Sequence, residues 1–119
     1  MAQFRLSRLA RADLAHILAT SALHWGTEAR RRYAAMLVAG MRRVAAEPQG
    51  STTQDRSELA KHVRSFHLRN VRADAPESRV RRPVHVLYYR AVRPGLVEIV
   101  RVLHERMDPA RHLSADPHS

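Results

Sequence analysis

A chain of 119 residues has room for one domain with a single modest core. With 45% hydrophobic and 27% charged residues it has the balance of a folded protein, which excludes disorder along its whole length. No cysteine is present, which excludes disulfides, thiolate metal sites and cysteine nucleophiles, while 21 basic residues against 11 acidic ones leave a net charge of +10.

In chain order, "FRLS" (Phe4 to Ser7) alternates and predicts a short strand, after which Ser7 can cap a helix through its hydroxyl. Leu14, Ile17, Leu18, Ala22 and Trp25 then fall on one helical stripe. Gly26 follows and can take the left-handed conformation that ends a helix. Thr27 is placed to cap the next one, so a tight helical hairpin is expected. The second helix runs from about Glu28 to Glu47 and is stopped by Pro48. Tyr33, Leu37, Gly40 and Val44 form one of its stripes, and Ala34, Val38, Met41 and Ala45 form a second, displaced by one residue. Together they span an apolar arc of roughly 200°, where a surface helix needs only about 100°. Either the first helix covers the extra flank, or it forms a groove for a partner helix.

From Gln49 to Lys61 the chain is polar and loop-like, with a helical turn expected in "SELAK". Periodicity then changes to two. "RSFHLRNV" sets Phe66 and Leu68 on one face, with His67 and Arg69 on the other. A charged loop, "ADAPESRVRR", separates it from "PVHVLYYRAV", whose continuous apolarity predicts a central strand covered on both sides. Pro94-Gly95 supplies a turn, and "LVEIVRVL" returns as the last strand. Asp108-Pro109 reads as the cap and first residue of a helical turn, and the tail, about 114–119, is expected to fray. This order predicts one α+β domain over 1–119, with two layers: an N-terminal strand and helical hairpin packed on an antiparallel β-sheet meander.

Chemistry is concentrated in "RVLHERMD" (Arg101 to Asp108). The pattern H-E-x-x-H of a zinc protease would need histidine where Asp108 stands, and no two histidines lie one turn apart on a predicted helix, so no metal is expected. No G-x-S-x-G elbow or phosphate-cradling glycine loop occurs, and no cofactor is implied. The catalytic option left is metal-free RNA cleavage, for which His104, Glu58, Arg64, Arg90 and Arg101 are the right residue types. On a regular strand, however, Arg101 and His104 project to opposite faces. All basic residues except Lys61 are arginine, whose fork suits phosphate or carboxylate, so the partner is a nucleic acid or an acidic protein. No apolar run approaches the roughly 18 residues of a membrane span, and no signal peptide is expected at the N-terminus.

The segments "FRLSRLARADLAHI", "HWGTEARRRY", "VRSFHLRN" and "VLYYRAV...VEIVRVLHERMDPARHL" together make the chain resemble the ParE toxins of the ParE/RelE superfamily, over about residues 3 to 113. The "VRADAPESRVRR" stretch is longer than that family's link between the same strands. The resemblance implies a helical hairpin on an antiparallel sheet, and a toxin of a bacterial type II toxin–antitoxin pair rather than an enzyme. It implies a ParD-like antitoxin with a ribbon-helix-helix half and a flexible acidic end, and contact with operator DNA only through that antitoxin. It further implies DNA gyrase as the target in the cytoplasm, whereas the RelE branch cleaves ribosome-bound mRNA. A toxin-like binding module without toxicity is the third reading. On this basis Arg101, His104, Arg106 and Met107 are expected to meet the target, and Arg31, Ala34, Val38, Met41 and Arg42 the antitoxin.

Overall fold

The structure is a computed structural model that describes residues 2–71, 80 and 82–113. Strand β1 (Gln3–Leu6) leads into α1 (Arg8–Trp25), and Gly26 alone separates α1 from α2 (Thr27–Ala46). Ser7 caps α1 as expected, its Oγ accepting the Ala10 N–H at 3.0 Å. The hydroxyl also donates to the Val100 carbonyl at 2.8 Å, tying the helix start to the last strand. Gly26 has φ +89° and ψ 173°, a conformation closed to most side chains but extended rather than left-handed helical. That sharp junction makes Gly26 itself the N-cap position of α2 and draws Thr27 into its first turn, so Thr27 is not the cap. The stripe of α1 is filled by Ala10, Leu14, Ile17 and Leu18. Its last turn is left at the surface, with Leu23 81% and Trp25 78% exposed, contrary to the place expected for Trp25.

Helix α2 buries residues of both stripes, namely Met36, Leu37, Gly40, Met41, Val44 and Ala45. The wide arc is therefore real, and the chain covers it with its own α1, β1 and sheet. Met41 is only 4% exposed, which removes it from the expected antitoxin surface: its thioether is core. Gly40 permits a close approach to the sheet, since a Cβ there would meet Leu68 Cδ2 at 2.7 Å and Leu87 Cδ1 at 3.2 Å.

The segment read as loop contains a short strand, β2 (Gln54–Asp55), and "SELAK" forms turns rather than helix. Then follow β3 (Arg64–His67) with a 3₁₀ turn over Leu68–Asn70, β4 (His85–Arg93), β5 (Leu96–His104) and a short α3 (Pro109–His112). The five strands lie in the order β1-β5-β4-β3-β2. The expected meander β3-β4-β5 is antiparallel, while β1 joins parallel to β5, with Phe4 opposite Val97 and Leu6 opposite Ile99. The sheet is thus mixed, because two helices and three strands intervene before the chain returns beside β1.

One face of the sheet, with Leu87, Tyr89, Val97, Ile99 and Val102, packs under the helices. The other carries a smaller cluster of Val63, Tyr88 and Leu103, closed by Leu113 just after α3. Asp108 caps α3 as expected, accepting the Ala110 N–H at 3.1 Å. Most of the expected long loop 73–82, and all of the expected frayed tail 114–119, lie outside the described residues.

Candidate functional site

Strand β1 pairs with β5 only as far as Ile99, so the edge of β5 beyond that point needs another cover. The start of α1 supplies it. Ser7 takes the Val100 carbonyl, and the Asp13 carboxylate accepts the Val102 N–H at 2.9 Å. The same carboxylate binds the Arg101 guanidinium through two hydrogen bonds of 2.8 and 2.9 Å, and Arg101 also donates to the His112 carbonyl at 3.0 Å. Both side chains are about five-sixths buried, at 15% and 16% exposure. The hydrogen bond to Asp13 pushes the Arg101 pKa up and keeps it charged. Arg101 therefore clamps α1 and the α3 turn onto the strand edge. Its fork is filled, and it is not presented to a target as expected.

Beside this clamp a cleft of about 920 Å³ opens between the helical hairpin and the adjoining ends of β4 and β5. Buried Ile17, Val102 and Leu103 form its floor, and exposed Trp25, Arg32 and Met107 stand at its rim. Within it, Tyr33 of α2 meets His85 of β4, with Tyr33 Oη and His85 Nδ1 2.5 Å apart. The Tyr33 oxygen also accepts the Val84 N–H at 3.3 Å, which leaves its proton for the imidazole. His104 stands edge-on to the His85 ring, with centroids 5.6 Å apart, and accepts the Arg106 N–H at Nδ1 at 3.1 Å. Burial, then the neighbouring His104 and His67, bring the His85 pKa down to about 4, and burial raises that of Tyr33. On β3, His67 accepts the Arg69 N–H at Nδ1 and holds Glu105 through Nε2 at 2.7 Å. That bond lowers the Glu105 pKa. Each of the three rings thus offers an unprotonated Nδ1 to the fold, and together they brace the exit of β5.

The bracing shapes what leaves the strand. Glu105 donates its N–H to the Val84 carbonyl at 2.7 Å, and Met107 turns back to the His104 carbonyl at 2.9 Å. Arg106 and Met107 are left at the surface, Met107 at 46% exposure. Of the four residues assigned to the target, these two are displayed, His104 is a half-buried brace and Arg101 is internal. The pair Tyr33–His85 was not legible in the sequence: 52 positions separate the partners, and Tyr33 sits in an ordinary apolar stripe.

The residues of an RNA-cleaving site are not gathered. Glu58 binds Arg56, Arg64 binds Thr53 and Arg90 binds Glu98; of the set, Arg101 and His104 alone line the cleft. Among the described residues no three His, Asp or Glu side chains converge to hold a metal. On α2, exposed Arg31 and Arg42 flank half-buried Ala34 and Val38 along one line, with Arg31 bonded to Glu28 at 2.6 Å.

The family described as "ParE toxin of type II toxin-antitoxin system, parDE" matches residues 4–109. Toxin ParE1 of Caulobacter vibrioides is 37% identical over 114 residues, covering 95% of this chain and 99% of that protein. A solved structure of a chromosomal ParDE toxin–antitoxin system from P. aeruginosa has the same fold, with a TM-score of 0.61 at 19% identity, over 87% of this chain and 96% of that one. With a core, a clamp and an exit turn carried within the matched span, this is a protein toxin rather than an enzyme, and the chain belongs to the ParE toxin family of type II toxin–antitoxin systems.

Proposed function

We propose that this toxin disables DNA gyrase, and so replication, in the cytoplasm, and that a ParD-like antitoxin holds it inactive. The observation that carries the target half is the braced exit of β5, which displays Arg106 and Met107 on a rigid turn while committing Arg101 to Asp13. An endonuclease would need that cation free to stabilise a phosphorane, whereas a protein inhibitor needs only a firm surface. The family supports the same side, because it groups the chain with ParE proteins.

The antitoxin's acidic end is placed along Arg31, Ala34, Val38 and Arg42 of α2. Met41 is left out because the core has taken it. Burial of the apolar part drives association at about 25 cal/mol per Å² before ordering costs, and the arginines steer the encounter with an acidic chain. The ribbon-helix-helix half would carry the pair to operator DNA. No helix among the described residues is long and apolar enough to cross a membrane.

A gyrase supercoiling reaction tests the proposal. Purified toxin should stop supercoiling, and prior addition of antitoxin should restore it. Undiminished supercoiling at toxin in several-fold excess over gyrase would overturn the target assignment.

A further inference from the structure

Strand β1 is an edge of the sheet, and its outer side has no partner among the described residues. Gln3 donates its N–H to the Gly95 carbonyl at 2.8 Å and Ser7 donates to Ile99 at 3.0 Å. In a strand alternate residues turn their backbone groups to the same side, so the N–H and C=O of Phe4 and Leu6 point away from β5. Such a row is a template for another strand, and proteins that leave one open usually blunt it. Here the edge opens into a groove of about 570 Å³ between Gln3 and Phe4 on one wall and Arg42, Ala45 and Ala46 of α2 on the other. The two alanines leave space where larger side chains would fill it. Arg42 is exposed at the groove, with no ion-pair partner among the described residues.

We infer that this slot takes up an extended acidic segment of the antitoxin as a sixth strand beside β1, a mode in which backbone pairing gives affinity and side-chain pockets give register. The inference rests on the antitoxin proposed above and says how its chain continues past the α2 line, since Arg42 ends that line and opens the slot. Charge selects the occupant. A carboxylate beside Arg42 is attracted both locally and by the net +10 of the chain. A second copy of β1 paired on the same edge would instead bring two +10 chains together with Arg42 near its own counterpart, which disfavours that alternative.

Amide hydrogen exchange, read residue by residue in the free toxin and in the purified toxin–antitoxin complex, tests this. In the complex the Phe4 and Leu6 amides should exchange about tenfold more slowly or better, as newly paired strand residues do. Arg42→Glu with Ala46→Glu, both at exposed positions, should return them to the free rate and weaken the complex by about tenfold. A complex that forms with Phe4 and Leu6 exchanging as in the free toxin overturns the sixth strand and leaves the antitoxin proposal standing. No complex with the antitoxin overturns both. Protection that grows with the concentration of toxin alone assigns the edge to a second copy, and that too overturns the inference.

Discussion

Asp13→Ala should unfold the toxin more readily than any other single change at an α1 surface position. The carboxylate accepts three hydrogen bonds, two from Arg101 and one from the Val102 N–H, and both ionic partners are about five-sixths buried. Breaking a fully buried ion pair from one side costs about 3–5 kcal/mol, and an orphaned buried N–H costs about 1–3 kcal/mol. The two terms overlap, and each ion keeps some contact with water, so about 3 kcal/mol is expected for the alanine variant. Asp13→Asn retains an acceptor for Val102 and should cost about half as much. Against a total stability of about 5–15 kcal/mol, the alanine change is large, and for a domain of this size it should lower Tm by about 12 °C. Urea unfolding followed by circular dichroism measures both variants. A loss below about 1 kcal/mol, or equal losses for Asn and Ala, would refute the clamp.

Three further outcomes follow from the packing. His85 has its pKa depressed to about 4 from 6.5, so the folded state binds its proton more weakly than the unfolded chain; stability should fall as pH drops from about 6.5 to 4 and His85 should cause no further loss below that. Its part of the loss should be about 1–2 kcal/mol once the residual exposure of the ring is allowed for, and a denaturation series that stays flat across that window in wild type, or slopes equally in His85→Gln, would count against it. Gly40→Ala should gain about 1 kcal/mol of helix propensity but lose more to the 2.7 Å approach of Leu68, for a net cost of about 1–2 kcal/mol in the same assay. Val38→Asp should weaken antitoxin binding by about tenfold or more, and raising salt should do much less; calorimetric titration of the folded variant with unchanged affinity would move the docking line off α2.

Much of the fold was legible because local chemistry specified it. Ser7, Gly26, Pro48, Gly95 and Asp108 each mark a boundary through a backbone requirement of their own, and the change from helical to alternating periodicity placed the meander. The parallel pairing of β1 with β5 was not legible, since nothing in "FRLS" distinguishes a partner more than 90 residues away. The same distance hid the site. Arg101 read as a displayed cation because Asp13, 88 positions earlier, gave no sign of its role, and only the fold shows that β1 stops short and leaves an edge to be sealed. The two stripes of α2 measured the buried arc correctly but did not say what covered it. Met41 was assigned to a partner for that reason. His104 and the residues after it were found from sequence as a chemically dense exit from the last strand. Their division into braces and displayed residues needed the positions of His85 and His67.

The most direct measurement compares one preparation in two reactions, gyrase supercoiling and translation by ribosomes on a defined mRNA, with wild type, His104→Ala and the pair Arg106→Glu with Met107→Asp. These variants are preferable to removing everything after Glu105, because Leu113 closes the second cluster and the His112 carbonyl holds Arg101. Wild type should stop supercoiling and leave the mRNA intact. His104→Ala should stay within about 1 kcal/mol of it, as most single interface residues do, while the exit-turn pair should lose inhibition. Fragmented mRNA with gyrase unaffected, and loss of that cleavage by about 10²–10⁴-fold in well-folded His104→Ala, would contradict the assignment and make the protein a nuclease.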